Sequence, residues 1–271
     1  MLAKRVATAV LLAAVGLPAL YFGGLFYLLL IALFLGVAAW EYVRIFRTIQ
    51  IEPSEIVVVG GVLGLLAARS LVSDWAAAGA VLTMLILLAL TVHLLAYERG
   101  RERAAVDFAA TIAGIAYLGW IGAYLVDLRS LPDGLWWLLL VLPSVWLADS
   151  AAYFVGIRFG RNKLCPRLSP KKTWEGYWAG VVAGMLGGVL FAWLWHRIGG
   201  LDVTLLEGAI LGLVLSLLTT LGDLGESLFK RQAGIKDSSN IFPGHGGAFD
   251  RIDSWLWAAV LGYYLICWFL L

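Results

Sequence analysis

Of the 271 residues 62% are hydrophobic and only 14% charged, with 20 basic against 18 acidic side chains and a net charge of +2. Soluble domains carry about 25% charged residues, so an ordinary soluble globule is excluded, and no polar stretch is long enough to bury a core of its own. Apolar runs of about 20 residues, the length that crosses a bilayer core, recur from one end to the other.

Nine transmembrane helices are predicted in chain order, over 5–21, 24–43, 55–72, 75–97, 105–126, 134–157, 174–197, 203–229 and 254–271. The fold class is all-α, a polytopic integral membrane protein. The opening MLAKRVATAVLLAAVGLPAL lacks a small-residue cleavage site and is followed at once by a second apolar span. It reads as an uncleaved first helix rather than a secretory signal. With the N-terminus cytoplasmic, every one of the 20 basic residues except Arg69, Arg129 and Arg197 falls on the cytoplasmic side. That is the positive-inside pattern, and it also suits anionic headgroups. The expected location is the inner membrane, multi-pass, with the site facing the cytoplasm. Cys165 and Cys267 fall in a loop and in the last helix, too far apart for a disulfide framework.

Residues 1–130 form a chemically quiet N-terminal region of about five spans. His93 reads as a hydrogen-bonded packing residue and Asp107 as a helix-start carboxylate. The polar chemistry concentrates in 131–271, in three clusters at the ends of apolar spans. The first, WLADSAAYFVGIRFGRNK, carries Asp149 at the end of an apolar run. A carboxylate there marks either a functional site or a helix-end Asp paired with an Arg.

The second, RLSPKKTWEGYWAG, has Ser169 before a proline, a turn signal, and Thr173 placed to cap the next helix. Lys171 and Lys172 precede that helix start, where free N–H groups favour anions. The pair suits either a phosphate or lipid headgroups. Gly176, Gly180, Gly184 and Gly188 then recur every four residues, a smooth face for helix packing.

The third runs from Leu221 to Asp253, LGDLGESLFKRQAGIKDSSNIFPGHGGAFDRID. Asp223, Glu226 and Ser227 share a helix face, and two buried carboxylates there need compensation by Lys230, Arg231 or a divalent cation. Beyond Arg231 the chain leaves the helix. Gly234, Pro243, Gly244, Gly246 and Gly247 permit tight turns and close backbone approach, and successive N–H groups in such turns can cup an anion. Asp250, Arg251 and Asp253 return the chain to its last span.

The run Ser227 to Asp253 closely resembles the signature of the phosphatidate cytidylyltransferases, or CDP-diacylglycerol synthases. Ser227, Lys230, Arg231, Lys236, Asp237, His245, Gly246, Gly247, Asp250, Arg251 and Asp253 fall in place. SPKKTWEG and DSAAYFVG are similar to that family too, and Ala248 departs from it, standing where the family carries a larger aliphatic residue. The resemblance covers chiefly residues 146–253.

It implies transfer of a nucleotidyl group from CTP to phosphatidic acid, giving CDP-diacylglycerol and pyrophosphate in phospholipid biosynthesis. It also implies a divalent cation, Mg2+, a second monovalent cation such as K+, and a homodimer in the bilayer. No nucleic acid partner is expected. The reaction requires charge neutralisation at phosphate oxygens. Asp223 and Asp250 are the leading metal ligands, with Asp149 and Glu226 as further candidates. Lys230, Arg231, Ser227 and His245 join the two aspartates as catalytic candidates. Ser169, Lys171, Lys172, Lys236, Asp237, Gly246, Gly247, Arg251 and Asp253 are expected to bind substrate. His245 is expected to hydrogen-bond phosphate or shape the loop rather than move a proton. A related polyprenol kinase, an ether-lipid cytidylyltransferase or an anion transporter are the alternatives.

Overall fold

The computed structural model describes residues 14–72, 75–242 and 246–271. Most of the predicted first span, and Pro243, Gly244 and His245 of the glycine-rich loop, lie outside them. Among the described residues eight helical segments are long and apolar enough to cross a membrane, from Gly24–Arg47 to Phe249–Phe269. They match the eight later predicted spans within a few residues, and the part of the first span that is described, 14–21, is helical. The chain is a polytopic helical membrane protein.

The chain packs as two units. The first runs to Asp127 and takes in Phe229–Ile252, and the second holds Leu128–Leu228 and Asp253–Leu271. The sequence division at 130/131 assigns 229–252 to the C-terminal region instead.

In the first unit α1 (Gly24–Arg47) follows the helical residues 14–22. Next come α2 (Glu55–Ala67), extended by a π-helical turn over Ala68–Val72, and α3 (Trp75–Glu98). α4 (Ala104–Gly114) passes through a second π-helical segment, Ile115–Trp120, towards α5 (Tyr124–Ser130). Val57, Leu65, Ala89 and Ile115 form a buried apolar cluster. Tyr42 is fully buried, donates to the Ala110 carbonyl at 2.9 Å, and sets its ring against Phe46, Phe229 and Phe249. A side chain at Gly114 would collide with that ring. His93 is buried with Nε2 2.8 Å from the Thr111 hydroxyl, a packing role as predicted. Asp107 accepts from the Glu52 amide at 2.7 Å and from Arg101 Nε at 2.6 Å.

The second unit begins with α6 (Gly134–Phe159), which leads into a two-stranded antiparallel hairpin, β1 (Lys163–Cys165) and β2 (Ser169–Thr173). This hairpin is a small β element beside the expected helices. Its turn lies at 166–168, just before the Ser169–Pro170 step predicted to turn. The restriction that proline places on its neighbour is met by extended backbone instead.

α7 (Trp174–Gly199) starts at Thr173, whose hydroxyl accepts from the Gly176 amide at 3.2 Å, the predicted cap. Its glycine ridge does the packing expected of it. Side chains at Gly180, Gly184 and Gly188 would strike Ala148, Ser216 and Gly208 respectively. The predicted span 203–229 is broken at Thr219 into α8 (Leu205–Leu218) and α9 (Thr220–Gln232). The Gly222 amide turns back to the Thr219 carbonyl at 2.9 Å, a three-residue turn of the kind that tightens helix ends. α10 (Phe249–Phe269) completes the chain.

Candidate active site

The second unit gathers an ionic group. Asp223 and Glu226 lie on α9, one turn apart, and Asp253 lies in the first turns of α10. One carboxylate oxygen from each falls within 4.8 Å of the others. Gly222 explains the approach, because a side chain there would meet the Asp253 backbone and the Trp257 ring. Glu226 is buried, and Asp223 and Asp253 are partly so. Lys172, from β2, forms an ion pair with Asp223. Asp149 on α6 lies within electrostatic range of both Lys172 and Asp223.

The cluster around SPKK and the one around Asp223 therefore meet through side chains, which spacing alone did not reveal. Ser227 shares the face of Asp223, with its hydroxyl 3.5 Å from Oδ1. Lys171 is exposed and Ser169 half-buried on the same strand. Glu175, in the first turn of α7, pins the end of the loop by accepting from the Arg161 amide at 3.1 Å and Asn162 Nδ2 at 2.7 Å.

The first unit organises the signature loop around Asp250. Lys230 Nζ lies 2.6 Å from Asp250 Oδ1. Oδ2 accepts three donors: the Ser238 amide at 2.9 Å, the Ser238 hydroxyl at 2.7 Å and the Gly247 amide at 2.8 Å. A carboxylate has about four lone-pair positions, so Oδ2 is filled and Oδ1 keeps room for one further partner. The Gly247 amide thus bonds the side chain of Asp250, three residues further on, where the loop runs into α10.

Gly246 has φ +81°, and a side chain at Gly247 would collide with Glu41 and Ser238. These two positions require glycine. Arg231 Nη1 donates to the Ile235 carbonyl at 3.1 Å, closing the turn that follows α9. Arg231, Lys236, Asp237 and Arg251 are exposed. His245 lies outside the described residues.

One residue of this arrangement was passed over in the sequence. Glu41, in the quiet N-terminal region, is fully buried and reaches the same loop. The available signal was a lone carboxylate inside an apolar helix, within VAAWEYV.

Multi-pass helices that carry clustered carboxylates and bases at their ends define a polytopic membrane protein equipped to hold charged groups. The chain matches the model of the cytidylyltransferase family over residues 3–269, and it belongs to that family. It is 36% identical to a phosphatidate cytidylyltransferase of Pseudomonas aeruginosa across 99% of its own length and 97% of the relative's. It is 32% identical to the phosphatidate cytidylyltransferase of Synechocystis, covering 97% of this chain and 96% of that one. A Bacillus subtilis phosphatidate cytidylyltransferase is 37% identical over 160 residues, 59% of the chain.

Proposed function

We propose that this protein transfers the cytidylyl group of CTP to phosphatidic acid, yielding CDP-diacylglycerol and pyrophosphate. The observation that carries the proposal is the end-to-end likeness to phosphatidate cytidylyltransferases, which takes in the residues from Ser227 to Asp253. Family membership sets the transporter reading aside.

In the reaction a phosphate oxygen of the lipid attacks the α-phosphorus of CTP. A new phosphorus–oxygen bond forms, the bond to the β-phosphate breaks, and pyrophosphate leaves with the electron pair. A phosphomonoester has a second pKa of about 6, so the lipid phosphate arrives largely as a dianion and no strong base is required of the chain. What the chain must supply is position and positive charge.

Lys172 and Lys230 are ammonium groups already aimed at carboxylates, and in the proposal they exchange those partners for phosphate oxygens as substrate enters. Lys171, Lys236, Arg231 and Arg251, all exposed, receive CTP from solution. Gly246 and Gly247 let the backbone approach a ligand without side-chain hindrance.

Asp223, Glu226 and Asp253 fit a hard divalent cation such as Mg2+, since all three offer oxygen donors. When bound, the ion would neutralise charge building on phosphate oxygens. Asp250, expected from the sequence as a ligand, has Oδ1 as its only open oxygen. Its proposed part is to hold Lys230 and the Gly247 turn, and to lend that oxygen to a cation, with K+ the monovalent candidate.

The proposal further places the protein in the inner membrane as a homodimer with its site on the cytoplasmic face. The one-sided distribution of Lys and Arg supports that face. So do the substrates, one confined to the bilayer and the other soluble in the cytoplasm.

The test is direct. Protein purified in detergent is given labelled CTP, phosphatidic acid and Mg2+, and CDP-lipid and pyrophosphate are measured. Absence of lipid product would refute the activity, and turnover that persists under a divalent chelator would refute the metal.

A further inference from the structure

Glu41 sits on α1, six residues before its last residue, Arg47, and is fully buried. Its carboxylate accepts from the Ala248 amide at 3.1 Å and the Phe249 amide at 2.8 Å. These are the amides of the residue that precedes α10 and of its first residue, which no carbonyl within that helix can satisfy. A carboxylate at a helix N-terminus is also favoured by the helix dipole. Glu41 thus caps α10 from a different helix.

It also accepts from the Ser239 hydroxyl at 2.5 Å and lies 3.1 Å from the Ser238 hydroxyl. Ser238 stands between two acids, because the same oxygen is 2.7 Å from Asp250 Oδ2. Its one hydroxyl hydrogen serves one acid at a time, while its amide stays on Asp250. Gly247 is glycine partly because Glu41 occupies the space a side chain would need.

We propose that Glu41 is a positioning residue of the transfer site: it fixes the start of α10 and Ser238, and through them the carboxylate of Asp250. The inference rests on the reading that Asp250 and Lys230 serve cytidylyl transfer.

The experiment compares Glu41→Ala and Glu41→Gln with Tyr42→Phe, a neighbouring buried change that removes a hydrogen bond without touching the loop. Steady-state constants are measured per mole of folded protein in mixed micelles, with amide hydrogen exchange at Ala248 and Phe249. Misplacing reacting groups by about 1 Å costs about 100-fold, so kcat of Glu41→Ala should fall by about that factor with KM changed less than roughly threefold. Glu41→Gln keeps one acceptor oxygen and should fall between Glu41→Ala and the unchanged protein.

The Ala248 and Phe249 amides should lose protection in Glu41→Ala and keep it in Tyr42→Phe, whose kcat should be unchanged. A kcat in Glu41→Ala equal to that of the unchanged protein overturns the inference, as does lost protection with kcat intact or an equal kcat loss in Tyr42→Phe. Should Glu41→Ala fail to fold, Glu41→Gln carries the test, and an unchanged kcat there overturns it. If the unchanged protein makes no CDP-lipid, the functional reading fails, while protection of the two amides reports on Glu41 separately.

Discussion

Lys230 and Asp250 form an ion pair at 2.6 Å with their side chains only 10% and 8% exposed. Removing one partner of a buried pair strands the other charge and costs about 3–5 kcal/mol. Lys230→Met and Asp250→Asn should each destabilise the protein by roughly that amount. The double variant should be less destabilised than the sum of the two single variants, because the paired groups are coupled, yet remain inactive. Thermal unfolding in detergent, together with the CDP-lipid assay, separates the two effects. A double variant with near-normal turnover would remove this pair from the mechanism.

Asp223 and Asp253 should behave differently from Asp250. Each offers one oxygen to a group of three carboxylates, so Asp223→Asn or Asp253→Asn should raise the Mg2+ concentration for half-maximal rate. Loss of a ligand should also lower the rate at saturating metal by at least about 100-fold, on the scale of removing one electrostatic stabiliser. A Mg2+ titration of rate reads both. Unchanged metal dependence in both variants would move the cation elsewhere.

Gly247→Ala should abolish turnover through steric conflict, because the added methyl meets Glu41 and Ser238. Gly234→Ala should be mild. Gly234 also has a positive φ, +69°, but a side chain there would meet open space. Its cost is backbone strain of about 1–3 kcal/mol, seen as a lower Tm with kcat kept. Equal activity losses in the two variants would show that the loop tolerates neither for reasons other than the Glu41 contact.

Arg69 carries a purely structural prediction. It is buried in an ion pair with Asp127, and its guanidinium lies 3.6 Å from the Trp75 ring centroid and 4.3 Å from that of Tyr124. Arg69→Lys keeps the charge but loses the planar stacking and fork geometry. It should lower Tm while leaving kcat and KM per folded molecule unchanged. A selective change in KM would give this cage a part in substrate binding.

Much of this was legible beforehand. Bilayer thickness makes apolar run length decisive, so the spans could be placed to within a few residues. The Thr173 cap and the glycine ridge of α7 followed from local geometry. The 163–173 hairpin was not legible, because the alternation it needs is too short to rise above a basic loop. Nor was the pairing of Lys172 with Asp223, which lie 51 positions apart and meet only through packing. Glu41 escaped for a plainer reason. A single acid in an apolar helix announces that a partner exists, and periodicity says nothing about which.

The bonds from Ala248 and Phe249 to Glu41 span 207 and 208 positions of sequence. A ribosome adding about 5–20 residues per second therefore finishes α1 roughly 10–40 s before those amides exist. During that interval an acid sits in a membrane helix with its final donors still unmade, at an insertion cost of about 2.5–3.5 kcal/mol if it lay at mid-bilayer. Its place near the end of α1 lets water or headgroups hold it meanwhile. Biogenesis thus sets a condition on where this carboxylate can stand: deep enough to be sealed in the finished protein, and shallow enough to wait for its partners.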